Sequence, residues 1–307
     1  LPLIGLCGYV SVFIAHYIGA GRHKEVGGAL WQGMWLALAG TGLLALSCLL
    51  AEPLFTWTGH PPAIMAEEIV YFRILTLGSA FFLFGAVVSG FFIGRGYTRP
   101  VLFANLAAAV INVPLDYALI FGKWGFPELG IAGAGVATVF GWAFCTIVLG
   151  FGMFRKKNDS NFRVFRAWRF KPDLFLRLLR FGVPSGVNLF MEVVGFAWFT
   201  FEVGRLGEVA QAASNIALSV NTLIFTPMLG LNTAVAALVG QAMGRKQPNE
   251  AARVTKSALH LSLIYMLPLC MFFFLFAGPL MDIFRPNASS VDEYAAIVTP
   301  GFEDVLT

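Results

Sequence analysis

RKKNDSNFRVFRAWRFKPDLFLRLLR, residues 155–180, carries nine Lys or Arg against two Asp. No other long stretch is so resistant to burial, and it stands between two long apolar blocks cut by short Gly, Pro and charge-bearing turns. The chain therefore reads as two bundles of membrane helices joined by a basic loop on one face of a bilayer.

Composition agrees. Apolar residues make up 58% of the 307 positions and charged residues 12%, with a mean hydropathy of +0.75. A soluble domain carries about a quarter charged residues, so too few charges are present here to coat a water-facing surface. The 31 Phe and 33 Gly suit lipid-facing helices that pack through small contacts. Cys7, Cys48, Cys145 and Cys270 stand singly in apolar runs, without metal or disulfide spacing. The net charge of +4 comes from residues beside helix ends, which points away from nucleic acid.

Crossing the hydrocarbon core takes about 20 residues. Runs of that order occupy 1–20, 26–50, 64–93, 100–120, 129–154, 175–201, 209–243 and 250–277, and a ninth starts near 291. When the exits alternate sides, seventeen basic residues fall on the face of the 155–180 stretch and three on the other, with Arg73 inside a span. The positive-inside rule makes the linker cytoplasmic.

An internal repeat organises the spans. VFIAHYIGAGRHK (12–24) resembles VAALVGQAMGRKQ (235–247), which aligns GAGR at 19–22 with AMGR at 242–245; AEPL at 51–54 then answers AGPL at 277–280. The copies lie an even number of spans apart, so both run the same way across the membrane. That predicts an all-α polytopic protein of two parallel-repeat bundles. The first bundle is expected at 1–154, the cytoplasmic linker at 155–174 and the second bundle at 175–307. By this repeat the chain reads as incomplete, lacking a first helix and most of the second bundle beyond 291.

Polar groups inside the spans are the candidates for function. Glu192 sits near the centre of its apolar run, where an ionised carboxylate is costly unless neutralised or paired. Taking up a proton, or a transient Na+, would remove that charge and bias which side the bundle opens to. Asn188, one turn earlier, shares its face. Asn112 and Asp116 are likewise one turn apart, around Pro114. Their place near the outer end fits a cap or gate as well as an ion site. Gln211, Asn215 and Thr222 form a rough stripe that either lines a polar cavity or joins helices. Arg73 either snorkels or pairs with Glu67 or Glu68. Polar residues are too sparse to assemble a nucleophile, base and orienter, and no Walker sequence is present, so neither an enzyme nor a bound cofactor is expected.

Several longer stretches resemble the multidrug and toxic compound extrusion (MATE) family, and within it the NorM-like subgroup. They are GAGR (19–22), FFIGRGYTRP (91–100), NVPLDYALIFGKWGFPELGIAGAGVAT (112–138), GVPSGVNLFMEV (182–193), VAQAASNIAL (209–218) and VGQAMGR (239–245). The resemblance implies a twelve-helix protein in two six-helix lobes, of which these spans are helices two to nine and the start of ten. It implies a coupling role for Glu192 in the FMEV segment, a first-lobe proton or cation site at the segment holding Asn112 and Asp116, and a cavity beside the helix of Gln211. The implied activity is antiport: Na+ or H+ moves inward and organic or cationic amphipathic compounds move outward, by a monomer among the lipids of a bacterial inner membrane. A lipid-linked oligosaccharide flippase is the rival within transport; it needs several Arg or Lys in its cavity. A non-transporting membrane scaffold is the rival outside transport, and it predicts that Glu192 can become Gln without loss.

Overall fold

A computed structural model of the chain describes residues 2–56, 61–205 and 207–276, and among these the regular structure is helical throughout. Helices α1 (Pro2–Gly8) and α2 (Val10–Gly19) form the first span, interrupted at Tyr9, where the Ser11 hydroxyl donates to the Gly8 carbonyl at 2.8 Å. Next come α3 (Val26–Ser47), short α4 (Ala51–Thr56), α5 (Pro62–Gly94), α6 (Arg99–Phe121), α7 (Gly130–Met153) and short α8 (Lys156–Phe162). Beyond the linker lie α9 (Pro172–Gly204), α10 (Glu208–Gly244) and α11 (Pro248–Leu275). Proline at the first turns of α5 and α6 sets a helical φ where no intrahelical donor is needed. α6 stops at Gly122, whose φ of 63° closes the end in the left-handed conformation.

Eight of these segments are long and apolar enough to cross a membrane. They fall within a few residues of the runs expected from sequence, so the chain is a multi-pass membrane protein. The expected ninth span and the AGPL copy at 277–280 lie outside the described residues.

Contacts divide the chain into two compact units, Leu1–Leu189 with Ala236–Ala251, and Phe190–Val235 with Ala252–Thr307. This division differs from the 1–154, 155–174 and 175–307 scheme, because α9, α10 and α11 each pass from one unit to the other. In the first unit α5 is the central helix and packs on α2, α3 and α7, with α6 against α7. Its core holds Ile14, Leu30, Leu83, Phe91, Leu149 and Met153. The early part of α9 joins this unit where Gly186 lies against the backbone of Pro2 and Gly5.

The basic linker is docked, contrary to its reading as a stretch too charged to bury. Phe162 and Val164 enter the core. The indole N–H of Trp31 donates to the Val164 carbonyl at 2.6 Å, and that of Trp35 to the Trp168 carbonyl at 3.1 Å. Gln32, wholly buried, donates to the Arg169 carbonyl at 3.2 Å and accepts from the Lys171 N–H at 3.1 Å. One turn of α3 thus straps the linker while its cationic side chains stay outside.

In the second unit, α10 carries Pro227 and α11 carries Pro268 in their interiors. Each proline removes a backbone donor from its helix. Beside the first of these, the Tyr265 hydroxyl donates to the Ile224 carbonyl at 3.2 Å and ties α11 to α10.

Candidate ion and solute sites

α6 carries the first candidate pair. Pro114 leaves the Val110 carbonyl without its usual helix donor, and Asn112 and Asp116 flank that weak point. Asn112 Nδ2 is buried and has no hydrogen-bond partner among the described residues. It faces α7 at Gly141, where even an added methyl group would lie about 4 Å from that nitrogen. Asp116 is part-exposed, with no ion pair among the described residues. Just beyond it, Tyr117 stacks near Phe121 and Trp124, with ring centroids 5.2 and 5.9 Å apart. Such a cluster marks the membrane–water boundary, so Asp116 lies towards the outer end of its span.

Asn188 belongs to the first unit and is exposed on α9. Glu192 belongs to the second unit and is also exposed, with no ion pair among the described residues. It lies about 30 Å along α9 from Pro172, at about 1.5 Å per residue, so it is far from the cytoplasmic end. No described group of His, Cys, Asp and Glu is clustered for a metal ion.

Gln211, Asn215 and Thr222 all lie on α10 in the second unit and are exposed. The Gln211 amide folds towards the end of α9, where a side chain on Gly204 would come within 3.6 Å of it. Asn215 accepts from the Ser219 hydroxyl at 2.8 Å through its carbonyl, and Thr222 donates to the Leu218 carbonyl at 2.8 Å. Thr226 and Thr233 bond back one turn in the same way, which satisfies hydroxyls inside an apolar helix. The side-chain amides of Gln211 and Asn215 are the groups on this stripe with donors to offer a solute.

Arg73 has a partner outside its own helix. Its Nη2 meets Glu52 Oε1 of α4 at 2.8 Å, with both side chains largely exposed. Sequence patterning does not single out Gln241, whose Nε2 donates to the Gly94 carbonyl at 2.9 Å, or the Trp31, Gln32 and Trp35 strap. A lone amide at Gln32 within an apolar run is the one signal that could have found the strap.

The MatE family model matches residues 1–118 and 184–300. A probable multidrug resistance protein NorM of Thermotoga maritima is 30% identical over 286 residues, covering 92% of this chain and 61% of the relative. Another probable NorM, from Rhizobium meliloti, is 31% identical over 297 residues, 95% of this chain and 63% of the relative. The chain thus spans less than two thirds of either relative. A solved structure described as the outward-facing conformation of a multidrug resistance MATE family transporter of the MOP superfamily superposes with a TM-score of 0.83. It is 22% identical and covers 97% of this chain and 66% of its own.

Proposed function

Because the chain belongs to the MatE family, we propose that it serves in a secondary active antiporter exporting organic, often cationic, amphipathic compounds in exchange for Na+ or H+. One observation carries the reading. Each repeat holds a carboxylate within an apolar span, Asp116 in α6 and Glu192 in α9, and neither has an ion pair among the described residues. A carboxylate in that setting is stabilised by a proton or a small cation, and the cation it accepts sets which packing of the helices is favoured. Asn112 carries an amide oxygen one turn from Asp116 along the sequence, which suits a hard ion such as Na+ as well as a proton.

Gln211, Asn215 and Thr222 are assigned to the solute side of the cycle. Amides and hydroxyls beside large exposed apolar side chains, such as Phe225 on the same helix, suit amphipathic cations of varied shape. The protein works as a monomer surrounded by lipid in a bacterial inner membrane. A flippase of lipid-linked pyrophosphates is disfavoured, because Arg73, the basic residue set well inside an expected span rather than near its end, is held by Glu52.

Efflux from everted vesicles under separate Na+ and pH gradients tests the proposal. Export driven by one of the two gradients supports it and names the ion. Export that ignores both gradients contradicts it.

A further inference from the structure

The cytoplasmic ends of α5, α6 and α7 and the start of the linker enclose a cavity of about 740 Å³, separate from the carboxylates discussed above. Its wall has two chemistries. Arg95, Arg155 and Lys157 line it together with Phe103, Val148 and Phe151, and no Asp or Glu does. None of the three cations makes an ion pair among the described residues.

Arg95 is built into this wall. Its guanidinium lies 4.6 Å from the ring centroid of Phe91 and 4.4 Å from that of Phe162. Its Nη1 donates to Asn158 Oδ1 at 3.4 Å, and Asn158 is fixed by donating to the Gly152 and Met153 carbonyls at 3.0 Å each. Burial lowers the Arg95 pKa from its usual value, yet a guanidinium remains charged. A half-buried positive charge therefore lines the cavity with no carboxylate paired to it among the described residues. The apolar part of the lining is open to the outside, since Phe103 and Phe151 are 64% and 76% exposed.

We propose that this cavity binds an anionic phospholipid of the cytoplasmic leaflet, with the headgroup phosphate on Arg95, Arg155 and Lys157 and an acyl chain along Phe103, Val148 and Phe151. An inorganic anion would use the cations and leave the aromatic wall idle. An amphiphile uses both, and the site stands at the height of the headgroups on the leaflet where anionic lipids attract basic residues. A phosphate there accepts charge-assisted bonds from a guanidinium already oriented by its two rings. The lipid would join α5, α6 and α7 to the linker, independently of which ion drives transport.

Native mass spectrometry of the purified, delipidated chain tests this with phosphatidylglycerol, phosphatidylcholine and inorganic phosphate. The expected result is one phosphatidylglycerol held about tenfold more tightly than phosphatidylcholine, a difference of about 1.4 kcal/mol. Arg155→Gln combined with Lys157→Gln alters exposed side chains and should remove that preference while circular dichroism is unchanged. Phe151→Ser should weaken lipid retention and leave phosphate binding as it was. Equal retention of the two lipids, a preference that survives the double substitution, or full displacement by millimolar inorganic phosphate would overturn the proposal.

Discussion

Gly19 and Gly244 occupy equivalent places in one helix crossing. Gly19 lies against the carbonyl of Gln241, and Gly244 against the carbonyl of His16. The turns after them also match. Ala20, Gly21 and Arg22 donate to the carbonyls of His16, Ile18 and Tyr17, while Arg245, Lys246 and Gln247 donate to those of Gln241, Met243 and Ala242. Gly21 and Lys246 both take positive φ, 70° and 59°. Every pair is separated by the same interval, so α2 and α10 meet as two copies of one unit, as parallel repeats require.

Substituting either glycine should break this crossing. A Cβ at Gly19 or Gly244 would overlap a backbone carbonyl, which cannot rotate away as a side chain can. Gly19→Leu and Gly244→Leu should each cost about 1–3 kcal/mol. The loss should appear as a lower unfolding temperature in detergent. A Leu at Gly42, which has nothing nearby, serves as the control and should be nearly silent.

The linker strap makes a second prediction. Gln32→Leu removes the partner of both the Arg169 carbonyl and the Lys171 N–H, and unpaired polar groups cost about 1–3 kcal/mol each when buried. Trypsin should then cut at Arg163, Arg166 and Arg169 faster than in the parent chain, and amide exchange over 163–171 should rise. Unchanged cleavage would mean that Trp31, Trp35 and the buried Phe162 and Val164 suffice to hold the segment.

Helix placement and direction are legible in the sequence because membrane spans declare themselves by length, and cytoplasmic ends by Arg and Lys. Register is harder to read. Residue identity aligns GAGR with AMGR, but the hydrogen bonds pair Gly19 with Gly244 and Gly21 with Lys246, two positions further on. Backbone geometry is repeated there while the residue that adopts positive φ changes from Gly to Lys, so identity matching slips. For Arg73 the sequence offers neighbours on its own helix, whereas Glu52 reaches it from α4 through tertiary packing. The linker's charge suggests a free loop, yet its two buried apolar side chains and its backbone decide where it sits. Among the site residues, the positions of Asp116 and Glu192 along their helices follow from sequence spacing. The buried, unpartnered amide of Asn112 does not, since it depends on how α7 packs there.

The Arg73–Glu52 pair should contribute little to stability. Both side chains are largely exposed, and exposed pairs are worth about 0.2–1 kcal/mol. Glu52→Gln should shift the unfolding temperature only slightly and leave ion-driven efflux intact. A large fall in efflux would assign this pair a part in the transport cycle.

Asn112 separates a structural role from a functional one. Its Nδ2 has no partner among the described residues, so Asn112→Leu removes an unsatisfied buried group and should keep or raise thermal stability. If Asn112 and Asp116 bind the coupling ion, the same substitution should weaken ion-driven efflux several-fold, as should Asp116→Asn. Unaltered efflux in both variants would remove α6 from the coupling mechanism.

Glu192 is proposed to exchange its charge with a small cation during transport. The most direct test is ion-driven efflux by transport-competent protein in everted vesicles, comparing Glu192 with Glu192→Gln at matched expression. The amide variant should still bind amphipathic cations but lose acceleration by the Na+ or pH gradient. Efflux with the same gradient dependence in both proteins would contradict it.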